Sequence, residues 1–264
     1  MNFGLIIVGD EILSGKRKDG HLPKVIELLS ARGLQLSWAR YVGDDRRLIT
    51  EALTHAFASG DIVFSCGGIG ATPDDHTRQC AAAALDRELQ LHPQAEALIR
   101  ERMQDTARER GEPYEPDRPD NIHRLNMGVF PAGASIIPNP YNKIPGFSVG
   151  DVHFVPGFPV MAHPMIETLL DTRYAHLHGS QRQVERSVIV FGAMEASLTP
   201  LMEAIEREHA GVRVFSLPSV DHPQYGRHIE LGVKGAGVAV EAAYAGLRAG
   251  LAAAGAKLGP ELVR

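Results

Sequence analysis

The sequence predicts an α/β protein: a three-layer α/β/α domain with a mostly parallel sheet, followed by a smaller α/β domain. Continuously apolar runs, typical of buried strands, alternate with stretches whose apolar residues recur every three or four positions, as on one face of a helix. Strands and helices that alternate in this way form βαβ units, which place a parallel sheet between two layers of helices. The order of elements changes near residue 177, which gives predicted domains 1–177 and 178–264.

Each element of the first predicted domain has its own sequence pattern. The run Phe3–Val8 is apolar throughout and closes at Gly9, as expected of a strand that is buried on both faces. Residues 21–32 have helical apolar spacing, and Gly33 occupies the position where a glycine commonly ends a helix. The remaining predicted elements are strands at 34–42, 61–66, 134–138 and 152–155 and helices at 46–59, 75–89, 93–110 and 159–176.

The second predicted domain has a different order of elements. Its pattern predicts a strand at 184–191, a helix at 197–209, strands at 212–217 and 228–233, and a helix at 238–254. The boundary between the domains falls in the polar stretch Leu177–Gln181. Near the end of the last strand, Gly232–Gly235 match the G-x-x-G of RNA-binding KH domains. In an acidic chain, chance explains so short a match better than RNA binding does.

The composition excludes several classes of protein. The chain has 264 residues, 44% of them hydrophobic, and a formal net charge of -5, which is ordinary for a globular protein. A pI near 6.2 argues against a nucleic-acid partner, which would need a basic face. No apolar run approaches the ~20 residues that cross a bilayer, so no membrane partner is expected. With two cysteines and a first segment typical of a strand and not of a signal peptide, the chain is expected to be cytoplasmic.

The strongest candidate for a ligand site is S-C-G-G-I-G-A-T-P-D-D-H-T, Ser65–Thr77. It follows a predicted buried strand and precedes a predicted helix, so it lies at the carboxyl edge of the sheet, where open α/β sheets bind ligands. Gly67, Gly68 and Gly70 let a ligand approach the backbone closely, and free N–H groups at a helix start favour anions. The alternative is that Thr72 or Asp74 only caps the following helix.

Carboxylates gather at the ends of three consecutive predicted strands. Asp10 follows the first strand, Asp44 and Asp45 follow the second, and Asp74 and Asp75 follow the third. Because the carboxyl ends of parallel strands meet at one edge of a sheet, these side chains are expected to converge. Any one of them alone is explained equally well as a helix cap, and Asp74 is expected to do no more than that. Their convergence favours a functional site.

Further stretches are expected to complete the cleft. The loop Val8–His21 leaves the first strand and offers the Ser14 hydroxyl. Prolines and glycines in Asn139–Phe147 and Val155–Pro159 specify rigid turns. Lys143, in the first of these turns, is expected to reach a phosphate. The twelve histidines and two cysteines show neither H-x-x-x-H nor C-x-x-C spacing, so no structural zinc site is predicted.

Together these stretches resemble the molybdopterin-binding family of the MoaB/Mog type, and most closely the N-terminal part of the competence/damage-inducible protein CinA. The family signature G-G-T-G-x-T-x-x-D-x-T corresponds to Gly67–Thr77, with Ile69 in place of the threonine. The strand-end G-D-E-L-L-x-G corresponds to Gly9–Gly15, and V-G-D-D to Val42–Asp45. The late L-P-G-x-P corresponds to Val155–Pro159.

The resemblance implies a molybdopterin-binding-like fold for residues 1–177 and a KH-like fold for 178–264. The A-P-G-F of the family corresponds to Ile144–Phe147. Where the CinA type usually has N-T-N after the first loop, this chain has Lys18–Gly20, which is nearer the D-x-G of the Mog type. The deamidase domain that ends full-length CinA is expected to be missing, since the sequence stops at Arg264.

The resemblance also implies a small phosphorylated ligand, either a pterin such as molybdopterin or an ADP-containing nucleotide. In the CinA type the cleft is associated with metal-dependent cleavage of ADP-ribose, and relatives act on FAD. In the Mog type, acidic residues matching Asp44 and Asp75 serve adenylyl transfer in molybdenum cofactor biosynthesis. A protein that binds a pterin or nucleotide without turnover is the alternative from another class. A homo-oligomer is expected, with dimer and trimer both open.

These implications give each candidate residue a role. Asp75 and Asp44 are the candidate catalytic residues and, with Asp10, the candidate ligands of Mg²⁺ or another divalent cation, which commonly binds one or two carboxylates together with substrate phosphates. The candidate ligand-binding residues are Gly67, Gly68, Gly70, Thr72, Asp10, Ser14, Lys143, Pro145, Gly146, Pro156 and Gly157.

Overall fold

The computed structural model describes residues 2–180 and 184–264 and divides the chain into two compact units, Met1–Ser180 and Gln181–Arg264. Gln181, the last residue of the predicted boundary stretch, lies outside the described residues. The strands of the first unit are β1 (Phe3–Val8), β2 (Leu36–Val42), β3 (Ile62–Cys66), β4 (Leu89–Leu91), β5 (Val129–Pro131), β6 (Ser135–Ile137), β7 (Gly146–Val149) and β8 (Val152–Val155). Its helices are α1 (Asp10–Leu13), α2 (His21–Ser30), α3 (Arg46–Ser59), α4 (Thr77–Leu85), α5 (Pro93–Arg110), α6 (Pro119–Arg124) and α7 (Pro159–Thr172), with 3₁₀ turns at Leu125–Gly128 and Ala175–Leu177.

Within residues 2–180, the central sheet has the strand order β2-β1-β3-β8-β7-β6. β1 pairs in parallel with β2 and β3, and β3 pairs in parallel with β8. β7 and β6 extend the sheet as antiparallel strands, and β4 pairs with β5 outside it. The predicted fold, a mostly parallel sheet between helices, is therefore confirmed. The carboxyl ends of β1, β2, β3 and β8 all lie at one edge of the sheet.

Alternating side chains explain why helices cover both faces of this sheet. Successive residues of a strand point to opposite faces, and in β1 Leu5 and Ile7 pack in the core cluster that includes α2 and α7. Ile6 and Val8 pack in the other cluster, with residues of α3 and α4. Burying each such side chain contributes about 1.5–3 kcal/mol. Because both faces of β1 are buried, its carboxyl end is held in a fixed place.

Two parts of the first unit differ from the predicted elements. The helix predicted at 75–89 begins at Thr77 and ends at Leu85, because Asp86 has the left-handed φ of 52° and stops it. Residues 89–91 then form β4. The loop predicted after β1 contains the short helix Asp10–Leu13, which places the first acidic residue against the strand end.

The second unit has an antiparallel sheet. Its elements are β9 (Val184–Phe191), α8 (Glu195–Glu208), β10 (Arg213–His222), β11 (Gly226–Gly235), α9 (Gly237–Ala253) and β12 (Lys257–Val263), and the strand order is β10-β11-β9-β12. α8 and α9 pack on it through a shared apolar core. Gly232 lies inside β11, where a Cβ would collide with the Phe215 ring, so close packing explains the first glycine of the G-x-x-G match. No helix in residues 2–180 or 184–264 is both long enough and apolar enough to span a membrane.

Candidate ligand-binding cleft

A cleft of about 570 Å³ opens at the carboxyl edge of the parallel strands. β1 contributes Val8 to its lining, the segment after β3 contributes Gly67–Ala71, and the segment after β8 contributes Pro156–Phe158. Ligand sites commonly have volumes of about 300–1,000 Å³ and lie at this edge of an α/β sheet. The cleft therefore lies where the sequence predicted it.

The carbonyl groups of the glycine loop are occupied by the protein itself. Thr77, at the start of α4, donates its hydroxyl to the Gly67 oxygen at 3.0 Å and its N–H to the Gly68 oxygen at 2.9 Å. Arg78 donates to the Gly70 oxygen at 2.5 Å. His123 Nε2 lies 2.8 Å from the Ala71 oxygen, and its other ring nitrogen accepts from an asparagine, so Nε2–H donates.

The N–H groups of the same loop are, by contrast, mostly without partners. The N–H groups of residues 68–71 donate to no acceptor among residues 2–180 and 184–264. The exception is Gly67, whose N–H donates to the Val155 oxygen at 3.0 Å and so ties β3 to β8. Successive N–H groups that face one cleft form an anion-binding concavity. The candidate anion donors are therefore the N–H groups of residues 68–71. Gly67, predicted among the ligand-binding residues, has its N–H taken by the Val155 oxygen.

Two glycines of this loop are required by its conformation. Gly67 has a φ of 107° and Gly68 a φ of 68°, which side chains rarely tolerate. A Cβ on Gly67 would also collide with the Val8 carbonyl oxygen, and one on Gly68 with the Thr77 hydroxyl. The close approach between the loop, β1 and α4 therefore depends on glycine at both positions.

Ile69, which replaces the family threonine, is only 7% exposed and packs in the core cluster on the α3 and α4 side of the sheet. Its backbone, but little of its side chain, faces the cleft. Because the candidate anion donors of this loop are backbone N–H groups, replacing the threonine by isoleucine does not remove any of them.

The acidic residues after β1 and β2 are joined by reciprocal hydrogen bonds. The Asp10 N–H donates to Asp44 Oδ2 at 2.9 Å, and the Asp44 N–H donates to Asp10 Oδ1 at 3.2 Å. Burial raises the pKa of Asp44, and the charges of Asp10, Glu11 and Asp74 raise it further, although the hydrogen bond from the Asp10 N–H opposes them. Several like charges therefore converge on one side of the cleft, as the strand ends predicted.

Asp75 is held by the turn that precedes α4. Thr72 donates both its N–H, at 2.9 Å, and its hydroxyl, at 2.5 Å, to Asp75 Oδ2. α4 begins after this turn and has no side-chain cap, so the alternative that Thr72 or Asp74 caps the helix is wrong. Asp45, in contrast, does cap a helix, because it accepts from the N–H of Leu48 in the first turn of α3.

The acidic side of the cleft fits a divalent cation that shares its coordination with a ligand. No group of three or more His, Cys, Asp or Glu side chains within the described ranges is arranged to hold a metal by itself. Mg²⁺ does not need such a group, because it commonly binds one or two carboxylates, several waters and substrate phosphates. Asp44, whose charge is opposed by its neighbours, and Asp75, beside the glycine loop, offer such carboxylates.

Comparison with known proteins identifies the family. The family model described as a probable molybdopterin binding domain matches residues 4–176, which include every strand and loop of the cleft. The chain belongs to this molybdopterin-binding family. The match confirms the resemblance that the motifs predicted.

Individual relatives point the same way. A CinA-like protein of Syntrophotalea carbinolica is 30% identical over 222 residues, which cover 78% of this chain and 50% of that protein. A protein of Pyrobaculum calidifontis is 31% identical over 236 residues, 85% of each chain. The crystal structure of the protein CinA from Thermoplasma acidophilum, described as of unknown function, superposes with a TM-score of 0.54 at 27% identity and covers 65% of this chain and 98% of that one. The chain spans about half the length of the CinA-like relatives named in these comparisons.

Four residues predicted to bind ligand do not line the cleft: Asp10, Ser14, Lys143 and Gly146. Asp10 Oδ1 accepts from the Asp44 N–H instead. Lys143 pairs instead with Glu101 at 2.7 Å and Asp105 at 2.6 Å, so its charge is neutralised by α5. Gly146 is buried in β7, and Ser14 follows α1 without lining the cleft. The predicted residues that do line it are Asp44, Gly67, Gly68, Gly70, Thr72, Asp75, Pro145, Pro156 and Gly157.

Sequence reasoning missed the side chains that hold the carbonyl groups of the glycine loop. Thr77 and Arg78 follow the loop directly in sequence, so their position could have indicated that they contact it. His123 lies 52 residues from its partner Ala71, and nothing local indicates the contact. His21, in the variant first loop, is 3% exposed and donates from Nε2 to the Gly157 oxygen at 3.1 Å. Burial lowers the pKa of His21, which favours the neutral ring that this contact uses.

Proposed function

We propose that this domain binds a small phosphorylated ligand, a pterin or an ADP-containing nucleotide, in the cleft at the carboxyl edge of its sheet. The single observation that carries the proposal is the set of N–H groups of residues 68–71, which have no acceptor within the described chain and belong to residues that line the same cleft as Asp44 and Asp75. Phosphate oxygens are suited to such donors.

The neighbouring carboxylates require a cation in this proposal. A phosphate on the glycine loop would be repelled by Asp44 and Asp75. Burial already raises the pKa of Asp44, and the charges of Asp10, Glu11 and Asp74 raise it further. A divalent cation held between the ligand's phosphates and one or two carboxylates, those of Asp44 and Asp75, would relieve both repulsions. Asp10, the third predicted metal ligand, does not line the cleft, and no group of three such carboxylates among the described residues is arranged to hold a metal. When bound, such a cation supplies charge neutralisation and polarises a phosphoryl oxygen.

The reaction we propose is Mg²⁺-dependent hydrolysis of the pyrophosphate bond in ADP-ribose or an FAD-like dinucleotide. The backbone of residues 68–71 holds one phosphate, and the acidic side keeps the second phosphate near the cation. Water attacks one phosphorus, and the bond to the bridging oxygen breaks. The alternative is a protein that binds its pterin or nucleotide without turnover. It is favoured by the hydrogen bonds between Thr72 and Asp75, which occupy a candidate catalytic carboxylate.

Two measurements separate these functions. A thermal-shift screen of ADP-ribose, FAD, ATP and a pterin phosphate, each with Mg²⁺, identifies ligands that bind only the folded state and so raise its apparent stability. A pyrophosphatase assay on ADP-ribose and FAD then tests turnover. Adenylyl transfer from ATP to a pterin would instead indicate the Mog-type reaction.

The decisive variant is Asp75→Asn, with Asp117→Asn as the control because Asp117 is an exposed carboxylate outside the cleft. We expect Asp75→Asn to lose Mg²⁺-dependent turnover and the control to retain it. Full turnover by Asp75→Asn would remove Asp75 from the cation site, whereas ligand binding without turnover in the unaltered protein would favour the non-catalytic function.

A further inference from the structure

Phe158 is a large exposed ring at the edge of the cleft. It lies between Gly157 and Pro159, the first residue of α7, and its side chain is 53% exposed. The preceding residue, Gly157, packs directly on the glycine loop, since a Cβ on Gly157 would lie 3.3 Å from the Gly67 Cα. The ring therefore stands one residue beyond the point where its segment touches the proposed phosphate site.

Arg17 lies across this ring. Its guanidinium carbon is 5.8 Å from the centroid of the Phe158 ring, a distance at which cation and ring attract each other. Within the described residues, Arg17 forms no ion pair, and no other lysine or arginine among them lines the cleft. Its charge remains available although Glu11 and Asp44 line the same space.

The wall beside Phe158 is apolar. Met161 follows one turn later on α7, and Ile144 and Pro145 also line the cleft. Asn142 donates its amide to the Met161 sulfur at 3.7 Å and accepts from the Ile144 N–H at 3.1 Å, which fixes this wall. The cleft therefore has an acidic side, suited to a cation with phosphates, and an apolar side. A ligand that consisted of phosphate alone would not contact the apolar side.

We propose that Phe158, with Arg17 set across it, is a stacking platform for a planar heterocyclic ring, so that the site selects a ring-bearing phosphate over inorganic pyrophosphate. This inference rests on the proposed function, because the ligand's phosphates must occupy the glycine loop. Aromatic side chains bind flat heterocycles by stacking, and arginine adds attraction to the electron-rich ring face. Adenine and pterin share this chemistry.

The test compares three probes by calorimetry in excess Mg²⁺: ADP, neopterin triphosphate and inorganic pyrophosphate. Phe158→Ala is expected to weaken binding of the probe whose ring stacks on Phe158, ADP or neopterin triphosphate, about tenfold and to leave the affinity for pyrophosphate unchanged. Phe158→Trp is expected to restore the loss. Arg17→Gln is expected to weaken all three probes, because the charge acts on phosphate, and to weaken ADP and the pterin more than pyrophosphate, because the guanidinium also attracts the ring. Val160→Ala is the matched control, since Val160 is an exposed apolar residue of α7 outside the cleft.

The possible results distinguish a failure of the stacking role of Phe158 from a failure of the proposed phosphate-binding function. Unaltered affinity of Phe158→Ala for both ADP and the pterin, or an equal loss for all three probes, would overturn the stacking role and leave the phosphate site intact. Binding of pyrophosphate but of neither ring-bearing probe would also overturn it. Binding of no probe by the unaltered protein would remove the proposed function itself. The ring whose affinity falls in Phe158→Ala, adenine or pterin, identifies the ligand class.

Discussion

A buried histidine in β8 makes the stability of the first unit depend on pH. The Ser148 hydroxyl donates to His153 Nδ1 at 2.7 Å, and His153 Nε2–H donates to the Tyr174 oxygen at 2.6 Å. Tyr174 in turn donates to Asp151 at 2.8 Å, which fixes the tautomer of the ring. Burial, followed by the charge of Arg173, lowers the pKa of His153 from 6.5 to about 3.

The sign and size of the effect follow from this pKa. Between pH 6.5 and about 3 the unfolded chain binds a proton that the folded chain does not, so stability falls as the pH is lowered. At pH 5, about 1.5 pH units below the ordinary pKa, the loss attributable to His153 is about 2 kcal/mol, at about 1.36 kcal/mol per unit. His153→Gln keeps a polar side chain but removes the titration.

Urea unfolding at pH 7.5 and pH 5, followed by tryptophan fluorescence, measures this loss. The chain has one tryptophan, and Trp38 lies in β2, so the signal reports on the first unit. The unfolding free energy of the unaltered protein should fall about 2 kcal/mol further than that of His153→Gln between the two pH values. Other histidines contribute equally to both proteins and cancel. Parallel pH dependences, differing by less than about 0.5 kcal/mol, would refute the argument.

Three further substitutions probe the cleft. Gly67→Ala should destabilise the first unit by about 1–3 kcal/mol in thermal unfolding and weaken phosphate binding, because Gly67 has a positive φ and an added Cβ would collide with β1. Gly15→Ala is the control and should destabilise the unit less, because Gly15 also has a positive φ but has open space around it. Arg78→Met should lower pyrophosphate affinity by freeing the glycine loop, and Arg78→Lys should restore part of it; equal affinities in calorimetry would contradict this. His21→Ala should remove one buried hydrogen bond to Gly157, worth about 0.5–1.5 kcal/mol, and weaken ADP binding more than pyrophosphate binding in the same assay.

The fold was predictable wherever local pattern and burial agree. α3 spans the predicted Arg46–Ser59, since its apolar face is regular and Gly60, at a φ of 70°, ends it. β12 was not predicted, because Gly259 and Pro260 look like a turn. They lie in a strand because β12 pairs with β9, and Gly259 leaves room for the Phe191 ring. Pairing between distant segments carries no local signal, so edge strands of this kind escape sequence reasoning.

The same distinction applies to the cleft. The convergence of Asp10 and Asp44 was predictable, because it follows from parallel strands that end at one edge. The partners of individual N–H donors and charged side chains were not predictable. The Gly67 N–H is taken by an acceptor in β8, and Lys143 is held by two carboxylates of α5. In each case the deciding partner is remote in sequence, so residue type and spacing placed the group near the site without showing what it binds.

If the proposed function is correct, the glycine loop itself cannot select one phosphorylated ligand over another. Its candidate donors are the backbone N–H groups of residues 68–71, which have no acceptor within the described chain. Thr77, Arg78 and His123 donate to carbonyl oxygens of the same loop and hold its backbone in place. Backbone donors recognise a phosphate oxygen whatever it is attached to. The side chain of Ile69 is buried, so it adds no discrimination at this point. If the cleft binds one ligand in preference to others, the preference must come from side chains beyond the loop, and the exposed Phe158 ring stands next to the loop in the position to supply it.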